Sequence, residues 1–594
     1  PENTSTERRV RVADINVTDD ALGTATVTLS GPDSGSFEAD GGVIYLKAGT
    51  ALDFATKRSY SVAVQVADAA ASAAPPVTTD FTLGLIDASP YTDAIARAIR
   101  DMETRTGSET SEGLLWSVTD GNALRGLGTE QPEWLLPTHD AWGAVTAHDS
   151  SRAQNHLLAS ITSIIANAEK VVDISSLTKV ADGDFRRAIV AGATQAYQAG
   201  RSPIIRLLWG RTPLSVIDGD AAALRSLQRE IHEAAPGLSV VAALMDDVSA
   251  VPLQVSWNHS KIVAADGRVA LVGGINMWSA DYLQSRDPVT DLAIEVEGPA
   301  AFAAHSFLDA LWRYCWTERD HIGVSIDSFL APGVAFPATV TSLIEPSRPV
   351  GGVRVLAVGR AGHVFTGRVT GTIDDHAVSA EDQDASRVVG LPNPMNGNAA
   401  WDGNNPSDTA LRTLIDLAQT EIVISQQQME FPSPGAVVGQ LPHFDVRLFD
   451  ALARRAIAGV KITIVVSGTI TGAYSAFPAL TMRVLTSRLE KLLGSRDRAV
   501  EVGASQVTIA PFRFSEGSGW PGTGVLFVDR PRLHSKIISV DRAVSYVGSQ
   551  NAYPNELMEF GFIVEDPAAV ADLERTYLDP MVRYSSAAAL SWST

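Results

Sequence analysis

The sequence predicts an α/β protein: two regions that alternate helix and strand in the same rhythm, preceded by a small all-β sandwich domain. Three observations lead there. Residues 1–88 alternate apolar and polar side chains in short runs. Residues 89–345 and 346–594 each cycle between apolar strands and amphipathic helices. A short motif in the first of these regions recurs in the second with the same internal spacing. The length of 594 residues agrees, because a single hydrophobic core stops growing beyond roughly 250–300 residues.

Each element has a local cause. In the first segment, Ala25-Thr26-Val27-Thr28-Leu29 and the run from Tyr60 to Val66 repeat with period two, which puts one face of a strand on a core. Asp40-Gly41-Gly42 is a turn between such runs. Residues 69–76 read as a loop inside the domain and 81–85 as one more strand. In the second region, 95–102 is helical. So is 155–168, where Leu157, Leu158, Ile161, Ile164 and Ile165 form one stripe. Strand 171–174, helix 185–198 and strand 204–208 follow. In the third region the rhythm repeats through helix 408–418, strand 421–425, helix 448–458 and strand 462–466. Such a rhythm predicts sheets covered by helices. The seam between the lobes falls at 346–352, rich in proline and glycine. Residues 371–406 are polar and read as a long loop.

Composition narrows the function. Hydrophobic residues make up 45% and charged residues 19%, which is a folded globular balance. No run of about 18 apolar residues is present, so no transmembrane segment is expected, and the start of the sequence carries no signal-peptide pattern. Asp and Glu number 68 against 47 Lys and Arg, a net charge of −21. Such a surface repels polyanions, so nucleic acid is not an expected partner. A small phosphodiester in a locally positive pocket remains compatible. The single cysteine, Cys315, rules out an internal disulfide and Cys-cluster metal sites, and its apolar neighbourhood marks it as buried and inert.

The chemistry lies in the repeated motif. One copy is Trp257-Asn258-His259-Ser260-Lys261, then Asp266, then Gly273-Gly274-Ile275-Asn276. The other is Leu533-His534-Ser535-Lys536, then Asp541, then Gly548-Ser549-Gln550-Asn551. In both, lysine stands two residues after the histidine, aspartate seven, glycine fourteen and asparagine seventeen. A lone His-x-Lys carries no information, but four matching offsets mark an internal duplication. The spacing predicts a hairpin in each copy, with the turn at Asp266-Gly267 or Asp541-Arg542. Each hairpin returns a small residue, Gly274 or Ser549, toward its histidine, where close approach of a ligand is allowed. Two histidines, two lysines and the Asn276 and Asn551 amides suit a phosphodiester. Cations and amides stabilise the charge on pentacoordinate phosphorus. One imidazole attacks, and the other serves as acid and then base. Asp291, before Leu292-Ala293-Ile294, and Glu559, before Phe560-Gly561-Phe562, are the expected carboxylates that orient His259 and His534 respectively. No metal and no cofactor is expected in this chemistry.

These motifs resemble the paired His-x-Lys-x4-Asp motifs of the phospholipase D superfamily, and further those of secreted Streptomyces-type phospholipases D. The likeness extends to Pro288-Val289-Thr290-Asp291, Gly298-Pro299-Ala300-Ala301, Ile424-Ser425-Gln426-Gln427, Asp445-Val446-Arg447-Leu448, Glu559 to Glu565 and Leu578-Asp579-Pro580. It covers about 120–585. It implies two similar mixed-sheet/helix lobes of phospholipase D type forming one catalytic unit, with the site between them. It implies hydrolysis of phosphatidylcholine-like glycerophospholipids to phosphatidic acid and head-group alcohol, with transphosphatidylation to primary alcohols. His259 is then the nucleophile and His534 the acid/base, while Lys261, Lys536, Asn276 and Asn551 hold the phosphoryl oxygens. Asp266 and Asp541 are structural. Trp278 and Tyr282 match a region near the head-group pocket, where an aromatic face suits a quaternary ammonium; ordinary lobe packing is the alternative for both. Gln426 joins Gly274 and Ser549 as an expected substrate contact. The partners implied are a phospholipid at a membrane or micelle surface and water or a primary alcohol as acceptor, for a monomer that is secreted or held at a bacterial cell surface.

The departures are Glu559, where relatives usually have aspartate, and Gln550, where they usually have lysine. Residues 1–88 resemble a bacterial cadherin-like repeat through Asp53-Phe54 and the strand after Ser59. In that family a glutamate two after the aspartate helps hold calcium; Ala55 stands there, which argues against calcium here. Arg530 and Arg532 before His534 are either a positive rim or solvated charge. The rival functions are a nucleic-acid or non-choline phosphodiesterase of the same superfamily, and a non-catalytic adhesive protein.

Overall fold

The computed structural model describes the chain apart from residues 1–5, 7, 18–24, 53–56, 58, 69–74, 85–90, 145–149, 212–219, 247–255, 285–287, 322–323, 365–398, 432–440, 468–476, 517–531 and 593–594. It divides into two units, Pro1–Pro90 and Tyr91–Thr594. In the smaller unit, strands β1 (Val10–Asp14), β2 (Ala25–Ser30), β3 (Phe37–Asp40), β4 (Val43–Leu46), β5 (Ser59–Asp68) and β6 (Val77–Gly84) form two three-stranded antiparallel sheets, ordered β1-β4-β3 and β2-β5-β6. Period-two alternation sends Tyr60, Val62 and Val64 of β5 to a core shared with Phe37, Ile44 and Leu46 of the other sheet. Gly41 and Gly42 turn β3 into β4 with φ of 57° and 79°, the left-handed pair that a tight hairpin needs. The residues tied to calcium, Asp53 and Ala55, lie outside the described residues, as does most of the expected 371–406 loop.

The larger unit begins with α1 (Tyr91–Thr106), β7 (Trp116–Asn122) and β8 (Leu135–Pro137). Then α2 (Ser151–Ala166), β9 (Val171–Ser176), α3 (Gly183–Gln198), β10 (Ile204–Gly210), α4 (Asp220–Ala234) and β11 (Val240–Met245) alternate as expected. The chain continues through β12 (Ile262–Ala265), β13 (Val269–Gly273), α5 (Ser279–Tyr282), β14 (Leu292–Glu297), α6 (Ala300–Thr317) and β15 (Val324–Phe329). One eight-stranded sheet results, ordered β15-β11-β10-β9-β12-β13-β14-β8. Its centre, β9, β10 and β11, is parallel. All six residues of β9 are buried, Asp173, Ser175 and Ser176 among them, so the strand shows no alternation of buried and exposed faces.

The second sheet repeats this plan. It uses β16 (Val353–Arg360), α7 (Ala399–Asn404), α8 (Pro406–Asp416), β17 (Glu421–Gln426), the short strands β18 (Glu430–Phe431) and β19 (His443–Phe444), α9 (Val446–Ile457), β20 (Lys461–Val466), α10 (Phe477–Leu493), α11 (Arg496–Gln506) and β21 (Val507–Pro511). The hairpin β22 (Ile537–Val540) and β23 (Val544–Gly548), β24 (Glu559–Glu565), α12 (Pro567–Leu573) and α13 (Asp579–Ser586) complete it. The order is β21-β20-β17-β22-β23-β24-β16-β7. The duplication extends to register: Ile262 opposes Ser175 and Ile537 opposes Ser425, in antiparallel pairs of the same kind.

One segment crosses the sequence order. Residues 91–122 precede the first sheet, yet β7 pairs with β16 at the edge of the second. Ile95, Ile99 and Met102 of α1 share a core with Leu411, Leu414 and Ile415 of α8. The Glu565 carboxylate accepts from Tyr91 N at 2.7 Å and Thr92 N at 2.9 Å, placing an anion at the N-terminus of α1. An apolar stripe announces a buried helix face but not which sheet covers it.

The motif hairpins form where expected. Asp266 and Gly267 have φ of 54° and 66°, and Asp541 and Arg542 have 54° each. Each aspartate ties its turn to the loop entering the first parallel strand. Asp266 accepts from the amides of Glu169, Lys170 and Val171 at 2.8, 2.8 and 2.9 Å. Asp541 accepts from Gln419, Thr420 and Glu421 at 2.7, 2.7 and 3.0 Å, and from the Tyr91 hydroxyl at 2.8 Å. Both lie seven residues past their histidines, roughly 20 Å along an extended strand. Asp266→Ala is expected to cost about 2–4 kcal/mol of stability, since it strands three amide donors. Urea denaturation checks this; an unchanged midpoint would show that the carboxylate does not hold the turn.

Candidate active site at the junction of the two sheets

The two sheets meet through two short parallel bridges. Asn258 pairs with Met558, and Thr290 pairs with Leu533. His259 N donates to Met558 O at 2.8 Å and Met558 N to Trp257 O at 3.1 Å. His534 N donates to Thr290 O and Thr290 N to Arg532 O, both at 2.8 Å. Each bridge sets the residue before a histidine beside the residue before a carboxylate of the other lobe. The pairing expected within each copy is therefore corrected. His259 Nδ1 lies 2.9 Å from Glu559 Oε2, and His534 Nδ1 lies 2.8 Å from Asp291 Oδ2. With Nδ1 held by an acceptor, Nε2 is the reactive nitrogen of each ring.

Burial governs the electrostatics. His259 is 4% exposed. Burial pushes its imidazole down to about 3; Lys261 and Lys536 push the same way, against the pull of Glu559. Burial and the neighbouring Lys536 bring His534 down to about 4, against Asp291. Lys261 falls well below the usual lysine range through burial, and Lys536 falls to about 8 for the same reason. Burial alone would raise Glu559, but His259, Arg360 and Lys261 hold its carboxyl below the usual range. The Lys536 ammonium lies 2.8 Å from Nδ1 and 3.0 Å from Nε2 of His534. Lys261 Nζ donates to the carbonyl of His259 at 2.6 Å. Two buried lysines, both lowered by burial, are groups that a bound anion would return toward the charged form.

The asparagines occupy equivalent places. Asn276 Nδ2 lies 3.2 Å from the Tyr282 hydroxyl, and Asn551 Nδ2 lies 3.0 Å from that of Tyr553. Both Oδ1 atoms are buried without a partner. Exchanging N and O in both amides lets each tyrosine donate to Oδ1 and frees an NH2 group for a phosphoryl oxygen. Tyr282 is 2% exposed, and its hydroxyl also lies 3.1 Å from His534 Nδ1, so it serves the histidine rather than an open pocket wall. Trp278 is half-buried beside it, with ring centroids 6.2 Å apart, and donates from Nε1 to Lys179 O at 2.9 Å.

Three expected substrate contacts are placed elsewhere. A side chain at Gly274 would collide with the Asp291 carboxylate, so glycine makes room for that group. At the equivalent position, Ser549 Oγ donates to Glu559 Oε2 at 2.6 Å. Gln426 is fully buried and bonds the backbone at Gln550 and Ala552, each at 3.4 Å, bracing the loop that carries Asn551. Gln550 donates from Nε2 to Asp408 Oδ1 at 2.5 Å. Arg532 pairs with Asp281 at 3.0 Å, while Arg530 lies outside the described residues. Cys315 is buried and its thiol is pushed up by burial. Arg360, fully buried and 3.3 Å from Glu559, belongs to no motif and is absent from the expected set. An arginine closing the apolar run Val355-Leu356-Ala357-Val358-Gly359 is the signal that marks it.

Among the described residues no group of three or more His, Cys, Asp or Glu side chains is placed to hold a metal, and no helix is long and apolar enough to cross a membrane. No family model matches the chain. Among solved structures it is similar to a phosphatidylserine synthase from Haemophilus influenzae Rd KW20. That match covers 84% of this chain and 92% of the other, with a TM-score of 0.44 and 11% identity. A polyphosphate kinase from Porphyromonas gingivalis matches 71% of this chain and 47% of its own, with a TM-score of 0.31 and 12% identity. Likenesses at that level carry no functional argument. Sequence kinship does: a phospholipase D of Streptomyces antibioticus is 35% identical over 517 residues, covering 84% of this chain and 88% of that one. With two sheets of one plan joined at a duplicated His/Lys junction, this chain belongs to the phospholipase D superfamily and is an enzyme of phospholipase D type.

Proposed function

We propose that the protein hydrolyses phosphatidylcholine-like glycerophospholipids to phosphatidic acid and the head-group alcohol without a metal, and transfers the phosphatidyl group to primary alcohols. The observation that carries this is the crossed pair of His–carboxylate contacts with two buried lysines between them. His259 Nε2 forms a bond to phosphorus as the bond to the head-group oxygen breaks, giving a phosphohistidine. His534 gives that oxygen a proton. It then takes one from water or an alcohol, whose oxygen forms the new P–O bond as the P–N bond breaks. The free imidazoles are neutral at pH 7. An anionic diester between the lysines favours the imidazolium of His534, which prepares the acid. Lys261, Lys536 and the amides of Asn276 and Asn551 meet the equatorial oxygens, and the lysines supply the positive charge a metal would otherwise bring.

The remaining assignments belong to the same proposal. Trp278 offers an aromatic face to a choline head group at the cleft rim. The net charge of −21 disfavours a nucleic-acid substrate. The small β unit is proposed as a cadherin-like spacer without calcium, in a monomeric protein that is secreted or held at a bacterial surface and acts at lipid interfaces.

The direct test incubates a short-chain, soluble phosphatidylcholine with the protein in EDTA and ethanol. Expected are choline release and phosphatidylethanol, both lost in His259→Ala. Folded wild-type protein that releases no choline would sink the phosphatidylcholine assignment. A second test uses pH. Lys536 must be charged to hold the phosphate, so kcat/KM is expected to be full below and to fall as pH rises through about 8. In Lys536→Arg, slower overall, the part of that limb due to Lys536 is lost because the guanidinium stays charged, and what remains reports Lys261. A wild-type profile flat from pH 7 to 10 contradicts the role given to this lysine.

A further inference from the structure

The two His–carboxylate pairs are not equivalent, and the difference lies behind them. Arg360 closes β16 directly opposite Glu559 on β24. It is fully buried. Its Nη2 lies 3.3 Å from Glu559 Oε1 and its Nη1 3.3 Å from Asp408 Oδ1, while Nε donates to Leu557 O at 2.9 Å. Asp408 is fixed in turn by Trp401 Nε1 at 2.7 Å and Gln550 Nε2 at 2.5 Å. In the first sheet, the place beside Asp291 belongs to Thr138, whose N donates to Asp291 O at 3.1 Å. Among the described residues, the Asp291 carboxylate bonds His534 and the amide of Leu292 at 2.8 Å, and no arginine. Glu559 thus has a cation at its back, whereas the Thr138 hydroxyl bonds backbone at Val289 and Asp291 and leaves the Asp291 carboxylate alone.

We propose that Arg360 is a positioning residue that makes the two histidines unequal: it fixes Glu559 as an anion and weakens the pull of that carboxylate on His259, while His534, on an Asp291 with no guanidinium behind it, is left the readier to accept a proton. The charges facing the His259–Glu559 pair are Lys261 from its own segment, Lys536 from the segment before β22, Arg360 from β16 and Asp408 from α8. The phenols of Tyr546 and Tyr553 also face it, and burial keeps both protonated. The lysines act on both histidines. Arg360 is the cation that touches only one pair. Removing it lets that pair take up a proton at higher pH, whether the proton rests on the carboxylate or on the ring. The role of His259 as the attacking group rests on the proposed function; the difference in proton affinity does not.

The test follows histidine side chains by NMR in 15N-histidine-labelled protein, with His259 and His534 assigned by their loss in His259→Gln and His534→Gln. It needs no substrate, so failure to release choline would overturn the substrate assignment and leave this inference standing. In the wild type His259 is expected to stay neutral to a lower pH than His534. Arg360→Gln alone would leave two buried anions unpaired and risks unfolding. It is therefore combined with Asp408→Asn. In that folded variant the His259 midpoint is expected to rise by roughly one to two units while His534 stays in place. Arg360→Lys, which keeps the charge, is expected to restore most of the wild-type value. The inference is overturned if wild-type His259 takes its proton before His534. It is equally overturned if the folded double variant leaves His259 unchanged or moves both rings together. Should the double variant not fold, Asp408→Asn alone decides: it leaves the guanidinium of Arg360 to Glu559 without a competing carboxylate, so the His259 midpoint is expected to fall while His534 stays in place, and an unchanged His259 midpoint overturns the inference.

Discussion

Two parallel bridges, Asn258 to Met558 and Thr290 to Leu533, are the constraint on which the site depends. Each joins a strand approaching a histidine to a strand approaching a carboxylate in the opposite lobe. Neither motif histidine finds its carboxylate within its own lobe. A change in lobe spacing would pull both imidazoles from their acceptors at once, so the duplicated sheets work as one unit rather than two. The motif aspartates serve this arrangement from the far end. By binding three backbone amides each, they fix the hairpins whose near ends present the histidines.

The junction concentrates charge that burial opposes. Bringing two ammoniums and two imidazoles out of water costs free energy, and the lowered lysine values express that cost. A phosphodiester anion is the chemistry that relieves it. The strong acidity of the chain as a whole does not contradict this, because a field of net charge acts at long range and is screened over about 10 Å in 0.1 M salt, whereas buried pairs are screened far less. A protein can repel polyanions at its surface and still bind one phosphate within.

Much of this was legible in the sequence, and the reasons for the rest are physical. The hairpins follow from an apolar run, a left-handed turn and a second apolar run. The lobes follow from strand–helix rhythm. The partner of each histidine was not legible, because Asp291 and Glu559 are each nearest in sequence to the histidine that they do not touch. Sequence proximity reports chain order, and these contacts are set across lobes. Gly274 and Ser549 were misplaced for a related reason. A small residue signals that something comes close, and the close group is a carboxylate in both cases. The placing of β7 in the second sheet escaped because an edge strand pairs by backbone, which carries no residue code.

Duplication creates a further difficulty for the proposed mechanism. A phosphoryl transfer by two histidines requires them to differ, since one must be a free base while the other carries a proton. Two copies of one motif supply two equal histidines. Equality at the first contact, Nδ1 to carboxylate at 2.9 and 2.8 Å, is nearly complete. Divergence therefore has to enter one layer further out, where it can change proton affinity without moving the reacting atoms. Gly274 faces Ser549 across the pseudo-symmetry, aspartate faces glutamate, and Thr138 faces Arg360. The longer glutamate arm belongs to this set. It lets one carboxylate reach His259 with Oε2 while Oε1 stays near the guanidinium of Arg360. A departure that looks like a loss of fit in the sequence lets one carboxylate, in three dimensions, meet a histidine and a guanidinium at once.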